Sequence, residues 1–110
     1  MPGPDGRARI IDMVLEIAQI DVLPGQEDGF AAAYAQARPI LADTEGCLTT
    51  RMTRGVESPS RFVLLVEWES VEAHVENFRN TDRFTQWRTI LSPFFAKPPF
   101  VEHYADLAGE

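Results

Sequence analysis

The chain reads as an α+β domain. We expect one four-stranded antiparallel sheet with helices on one face, in the order β-α-β-β-α(α)-β, a split βαβ or ferredoxin-like layer. Three observations carry this. Four segments rich in Val, Ile, Leu, Thr or aromatic residues are bounded by Pro, Gly and Ser turns. Two longer stretches repeat their apolar residues at helical spacing. And 110 residues, 45% of them hydrophobic, hold one core and not two.

The first segment, residues 13–23 (MVLEIAQIDVL), is a strand that stops at Pro24-Gly25. Met13, Leu15 and Ile17 fall on one face and Val14, Ala18, Ile20 and Val22 on the other, so both faces want cover. A helix follows from about Gln26 to Asp43, with Phe30, Ala33, Tyr34, Ala37 and Leu41 on one side. Glu27 and Asp28 sit in its first turn, where the helix dipole favours acids. Pro39 should kink this helix or end its regular part near Arg38.

Gly46 closes the connection, and residues 47–54 (CLTTRMTR) and 61–69 (RFVLLVEWE) form a hairpin around a Gly, Ser and Pro turn. Ser70 offers a helix N-cap with Glu72 in the first turn. Val71, Val75 and Phe78 share a face there. Asn80-Thr81-Asp82 interrupts before a second helical pattern, Phe84, Trp87, Leu91 and Phe94. After Lys97-Pro98-Pro99, residues 100–106 (FVEHYAD) form a last short strand. The domain therefore spans 12–106, between a loose tail over 1–11 and a polar tail over 107–110. A sheet covered on one side leaves its other side bare, and a second copy of the chain is the simplest cover.

Charge narrows the partners. Ten Lys and Arg against 17 Asp and Glu give a net charge of −7, which argues against nucleic acid. No stretch approaches the roughly 18 consecutive apolar residues of a membrane span. The positively charged start lacks the apolar core of a signal peptide, since Asp12, Glu16 and Gln19 break the run that follows. One cysteine, Cys47, forms no internal disulfide, which fits a reducing cytoplasm. It reads as a small packed residue rather than an activated thiolate.

The sequence has no glycine-rich nucleotide signature, no G-x-S-x-G and no C-x-x-C, so no nucleotide cofactor, hydrolase elbow or zinc ribbon is indicated. Two histidines remain. His74 lies in the helix after Ser70, and His103 lies in the last strand on the side of Val101 and Ala105. Helix and sheet pack together, so the two can reach one pocket. Each reads either as a base in a partly apolar site or as a half-buried residue satisfied by a backbone carbonyl. A metal would need a third ligand from Glu72, Glu76 or Glu102, and none makes a metal spacing, so no metal is assigned. Trp68 reads as a pocket wall with one N–H to donate, or as core. Arg88, beside Trp87, either pins a phenolate or quinone oxygen or pairs with a surface carboxylate. Asn77, Tyr34 and Phe78 complete the candidates for contact with a ligand.

The opening strand with Pro24-Gly25, the run Glu67-Trp68-Glu69-Ser70, then Glu72-Ala73-His74, Phe78-Arg79, Phe84 and the closing Pro99–Tyr104 segment together resemble the antibiotic biosynthesis monooxygenase (ABM) domain of the dimeric α+β barrel superfamily. The resemblance covers about residues 12–106. It implies a homodimer with two sheets packed face to face, and a pocket between sheet and helices in each subunit. Some members oxidise aromatic polyketides or quinols with molecular oxygen and no cofactor. Carried onto this chain, His74 or His103 is the base, Trp68 a pocket wall and Arg88 the anion stabiliser. A haem-degrading branch uses Asn, Trp and His where this chain has Ala18, Phe78 and Arg88, so that reaction is not expected here. A dimer of the same fold that binds a small ligand without turnover is the alternative.

Overall fold

A computed structural model describes residues 13–108; the tail expected over 1–11 and the last two residues of the C-terminal one lie outside them. Strand β1 (Val14–Asp21) is followed by helix α1 (Glu27–Ala42). The hairpin comprises β2 (Cys47–Arg54) and β3 (Arg61–Trp68). Helix α2 (Val71–His74) runs directly into a π turn (Val75–Arg79), and helix α3 (Asp82–Leu91) into a 3-10 turn (Ser92–Phe94). Strand β4 (Phe100–Tyr104) ends the fold. The strands order as β2-β3-β1-β4, all antiparallel, which is the four-stranded ferredoxin-like sheet expected. No described helix is long and apolar enough to cross a membrane.

Alternation along the strands decides what faces the helices. Glu16, Ala18 and Ile20 of β1, and Phe62, Leu64, Val66 and Trp68 of β3, are buried on that side. Phe30, Ala37 and Leu41 of α1, Phe78 of the π turn, and Trp87 and Leu91 of α3 pack against them. Phe30 and Phe62 bring their ring centroids to 4.8 Å. Each large side chain removed from water in this way is worth about 1.5–3 kcal/mol. The opposite sheet face carries Leu15, Ile17, Val63 and Leu65, only partly covered. Phe100 and Tyr104 add to it, 61% and 47% exposed.

Pro39 does not end α1, which continues to Ala42. Proline removes one donor, the one that would serve the Ala35 carbonyl. Ala35 and Pro39 are both exposed, so water can serve that carbonyl, while buried Ala37 and Leu41 hold the helix to the sheet. The first strand ends at Asp21; Val22 makes only an isolated bridge to Phe95. Strand β4 ends at Tyr104, two residues before the expected limit. A bulge at Leu48 shifts the β2–β3 register between Cys47 and Thr49.

Candidate functional site

Local features fix α2 over the sheet. The Ser70 hydroxyl caps it by accepting the Ala73 N–H at 3.0 Å. Gly46 has φ +90°, and a Cβ there would stand 2.6 Å from the Ala73 Cβ, so only glycine lets the helix approach so closely. The Asn77 amide donates to the Glu45 carbonyl at 2.9 Å and fastens the same corner. The Asn80 N–H bonds the Val75 carbonyl at 2.9 Å, closing the π turn, a local widening that recurs at functional sites. It leaves Phe78 buried in the core and Arg79 beside the cavity below.

Between sheet and helices lies a cavity of about 710 Å³. Ala18, Leu64 and Val101 line it from the sheet, and Phe78, Phe84 and Trp87 from the helical side. Two buried polar side chains also line it, Glu16 and His74, together with the exposed cations Arg79, Arg88 and Lys97. Its size and mostly apolar, partly aromatic lining suit a small ring system.

The polar side chains form a line. Trp68 donates its indole N–H to Glu16 Oε1 at 2.8 Å. The same oxygen lies 3.5 Å from His74 Nε2. His74 Nδ1 lies 2.7 Å from His103 Nε2, within hydrogen-bond distance. The His74 ring stacks on Trp68, with centroids 4.9 Å apart and planes at 15°. Register explains the meeting. Glu16 stands opposite Val66 on one side and opposite His103 on the other, and Trp68 is two residues beyond Val66 on the same face. Among the described residues neither histidine ring bonds a backbone carbonyl; each ring finds the other. Among the described residues no group of three or more His, Cys, Asp and Glu is placed to hold a metal ion. The two nitrogens of His74 face different partners, so Glu16, His74 and His103 make a chain and not a cage.

Burial shifts all three groups. It raises the Glu16 carboxyl above the ordinary 4.5, against the opposing pull of the Trp68 hydrogen bond and the Arg79 charge. It lowers His74 from 6.5 to about 4, helped by His103 and then Arg79. It lowers His103 too, with Arg79 adding to the effect. Both imidazoles are therefore neutral at pH 7, each with one ring N–H to place.

The sequence candidates divide by place. His74, Phe78 and Arg88 line the cavity, with the Arg88 guanidinium 5.8 Å from the Phe84 ring centroid. Trp68 is not the pocket wall expected: it is wholly buried, lies outside the lining and connects to the cavity through Glu16. His103 stands behind His74, half-buried on the edge strand β4. Tyr34 is not a lining residue; its hydroxyl pairs with Thr50 Oγ1 at 3.0 Å and its ring meets Trp87 edge-on at 6.1 Å. Asn77 is likewise outside the lining, held by Glu45. Ala18, Phe78 and Arg88, the three departures from the haem-degrading pattern, all line the cavity. Glu16 is the residue that sequence reasoning missed. Its signal is an acid in the inward row Val14, Glu16, Ala18, Ile20, Val22, which is otherwise apolar.

Comparison with known proteins agrees with this architecture. A protein of Bordetella bronchiseptica proposed to be an antibiotic biosynthesis monooxygenase is 41% identical, with a TM-score of 0.83 over 87% of this chain and 98% of its own. The uncharacterized protein YczJ of Bacillus subtilis (strain 168) is 36% identical over 95 residues, 86% of this chain and 100% of its own. A conserved protein from Methanosarcina mazei Go1, 19% identical, shares the fold with a TM-score of 0.78 over 92% of this chain and 99% of its own. The family model for antibiotic biosynthesis monooxygenase matches residues 13–89, well over half the chain, and this protein belongs to that family.

Proposed function

We propose that the chain is a monooxygenase that uses no cofactor and oxidises a small electron-rich aromatic, a polyketide or quinol, with molecular oxygen. The observation that carries this reading is an aromatic-walled cavity with a buried glutamate and histidine on its wall and a second histidine behind them. An electron-rich phenolate or enolate can pass an electron to oxygen itself. The protein then has to bind it away from water, remove its proton and steady the anion. In this reading His74 accepts the proton with His103 behind it. Arg88 steadies the anion, Phe78 flanks the ring, and Trp68 fixes Glu16. Tyr34 and Asn77 act on the ligand only through the walls they brace.

The chemistry balances without another reductant. A ring CH₂ loses a proton, the carbanion adds oxygen, the peroxide takes a proton, and loss of water leaves a carbonyl. The sum is CH₂ plus O₂ to C=O plus H₂O.

The bare sheet face supports a homodimer through sheet packing, since Ile17, Leu65, Phe100 and Tyr104 leave apolar surface on it. A cytoplasmic setting accords with a lone thiol that forms no internal disulfide.

The test is oxygen uptake by metal-stripped protein with anthrone- and dihydroxynaphthalene-type substrates. Uptake that falls in His74→Ala or His103→Ala while the protein stays folded supports the reading. A raised melting temperature with chemically unchanged ligand supports the binding-module alternative instead.

A further inference from the structure

The line of polar groups runs past the cavity wall, and that geometry has a use of its own. His74 lines the cavity beside Glu16; its Nε2 lies 3.5 Å from Glu16 Oε1 and its Nδ1 lies 2.7 Å from His103 Nε2. His103 does not line the cavity; it sits half-buried on edge strand β4. An imidazole can take a proton on one nitrogen while giving one from the other, so it conducts without accumulating as a cation. We propose that His74 passes protons between the cavity and His103, that His103 exchanges them with solvent, and that Glu16 holds His74 in the tautomer that completes each transfer.

The steps follow the atoms. The relay starts with the His74 hydrogen on Nδ1, 2.7 Å from His103 Nε2, and with Nε2, 3.5 Å from Glu16 Oε1, free to accept. A ligand proton bonds to Nε2, the Nδ1 hydrogen moves to His103 Nε2, and His103 releases its own Nδ1 hydrogen to water. The new Nε2–H of His74 then points at Glu16 Oε1. The present 3.5 Å is longer than a hydrogen bond and closes with a shift of roughly 0.5 Å. Trp68 holds that oxygen in place by donating to it. Running the steps backwards returns a proton to the cavity and restores the resting tautomers. The oxidation proposed above sends one proton out and takes one back, so the relay resets without a ring flip. The other groups facing it are few. Arg79 is the nearby cation that acts on Glu16 and both histidines, and Cys47, which feels the Glu16 charge, stays a neutral thiol.

The proposal deepens the monooxygenase reading, but its first test needs no turnover. Nitrogen-15 NMR of histidine-labelled protein reads tautomers and titrations directly. We expect His74 as the Nδ1–H tautomer, sharing that hydrogen with His103. In Glu16→Gln, which preserves shape and an acceptor for Trp68, the titration of His103 should move although His103 is not bonded to residue 16. If Glu16→Gln leaves His103 unchanged, or if the two histidines titrate independently, the relay is overturned. Where oxygen uptake is measurable, His103→Gln should lower it on the order of 10²-fold, and added imidazole should restore part of it. Full-rate uptake in His103→Gln also overturns the relay. Absence of uptake with every substrate, alongside coupled histidines in the NMR, removes the monooxygenase reading and leaves the relay standing.

Discussion

Trp68 donates its indole N–H to Glu16 Oε1 at 2.8 Å, and both residues are buried, at 0% and 6% exposure. A carboxylate this far from water depends on such donors. Trp68→Phe keeps a ring over His74 but withdraws the donor. We expect a loss of about 1–3 kcal/mol in denaturant unfolding and a further rise of the Glu16 carboxyl, read by carbon-13 NMR. Glu16→Gln, which still offers an acceptor, should cost less. A loss in Trp68→Phe with no further rise of the Glu16 carboxyl would show that ring packing, not the hydrogen bond, matters there.

Acid should weaken the fold through His74. Its folded value of about 4 lies below the ordinary 6.5, so the unfolded chain binds a proton that the native one refuses. The stability this group contributes is complete above pH 6.5 and is lost between 6.5 and about 4, amounting to about 3 kcal/mol. His103, also lowered, works in the same direction. Glu16 works against them: its raised carboxyl keeps a proton that the unfolded chain loses above 4.5, so its share is full at low pH and fades as pH rises. Denaturant curves at pH 7 and pH 4.5 should show a smaller acid loss in His74→Gln than in the wild type. An identical pH dependence in both would remove His74 as the cause.

Two glycines with positive φ make an internal control. Gly25 (φ +87°) has nothing within 4 Å of a built Cβ, whereas at Gly46 (φ +90°) that atom would meet Ala73 at 2.6 Å. Gly25→Ala should cost only the backbone strain, about 1 kcal/mol. Gly46→Ala adds overpacking, for a total of about 2–4 kcal/mol, and pushes α2 and His74 off the sheet. Thermal melts of the pair separate the two terms. Similar losses would mean that the loop at 43–46 yields instead of the helix.

Cys47 should be inert. Burial, and then the Glu16 charge, push its thiol up to about 11, so almost no thiolate exists at pH 8. Native protein should react with a disulfide reagent far more slowly than unfolded protein. Rapid labelling of the native state would contradict the packing around the start of β2.

The strands and helices were legible because alternation and helical spacing are local. The Pro24-Gly25 stop, the Ser70 cap and the β2–β3 hairpin each announce themselves within a few residues. The meeting of His74 and His103 was legible one level up, from both lying on inward rows of a known layer. Glu16 was not, because its donor is 52 positions away and an acid in a strand looks solvated until the partner is seen. The π turn was hidden for a related reason. It depends on the Asn80 N–H choosing the Val75 carbonyl, a choice made by packing and not by residue type. Pro39 left two outcomes open, a kink or an end near Arg38; the helix runs on to Ala42, with the carbonyl that loses its donor on the exposed side.

Neighbouring leucines on β3 can separate the fold from the assembly. Leu64 is buried against the helices, whereas Leu65, half-buried, lies on the opposite, partly covered sheet face beside Ile17 of β1. A charge at Leu64 would stand unpaired in the core, and Leu64→Glu should fail to fold. A charge at Leu65 meets water in a monomer but an apolar surface in a sheet-packed dimer. Leu65→Glu should therefore keep the circular dichroism of the wild type while light scattering at micromolar concentration falls from the dimer mass to that of one chain. Phe100→Glu, at the edge of the same face and 61% exposed, should weaken the dimer less. A wild-type protein that scatters as a monomer at those concentrations would remove the dimer, and the apolar face would then need another occupant.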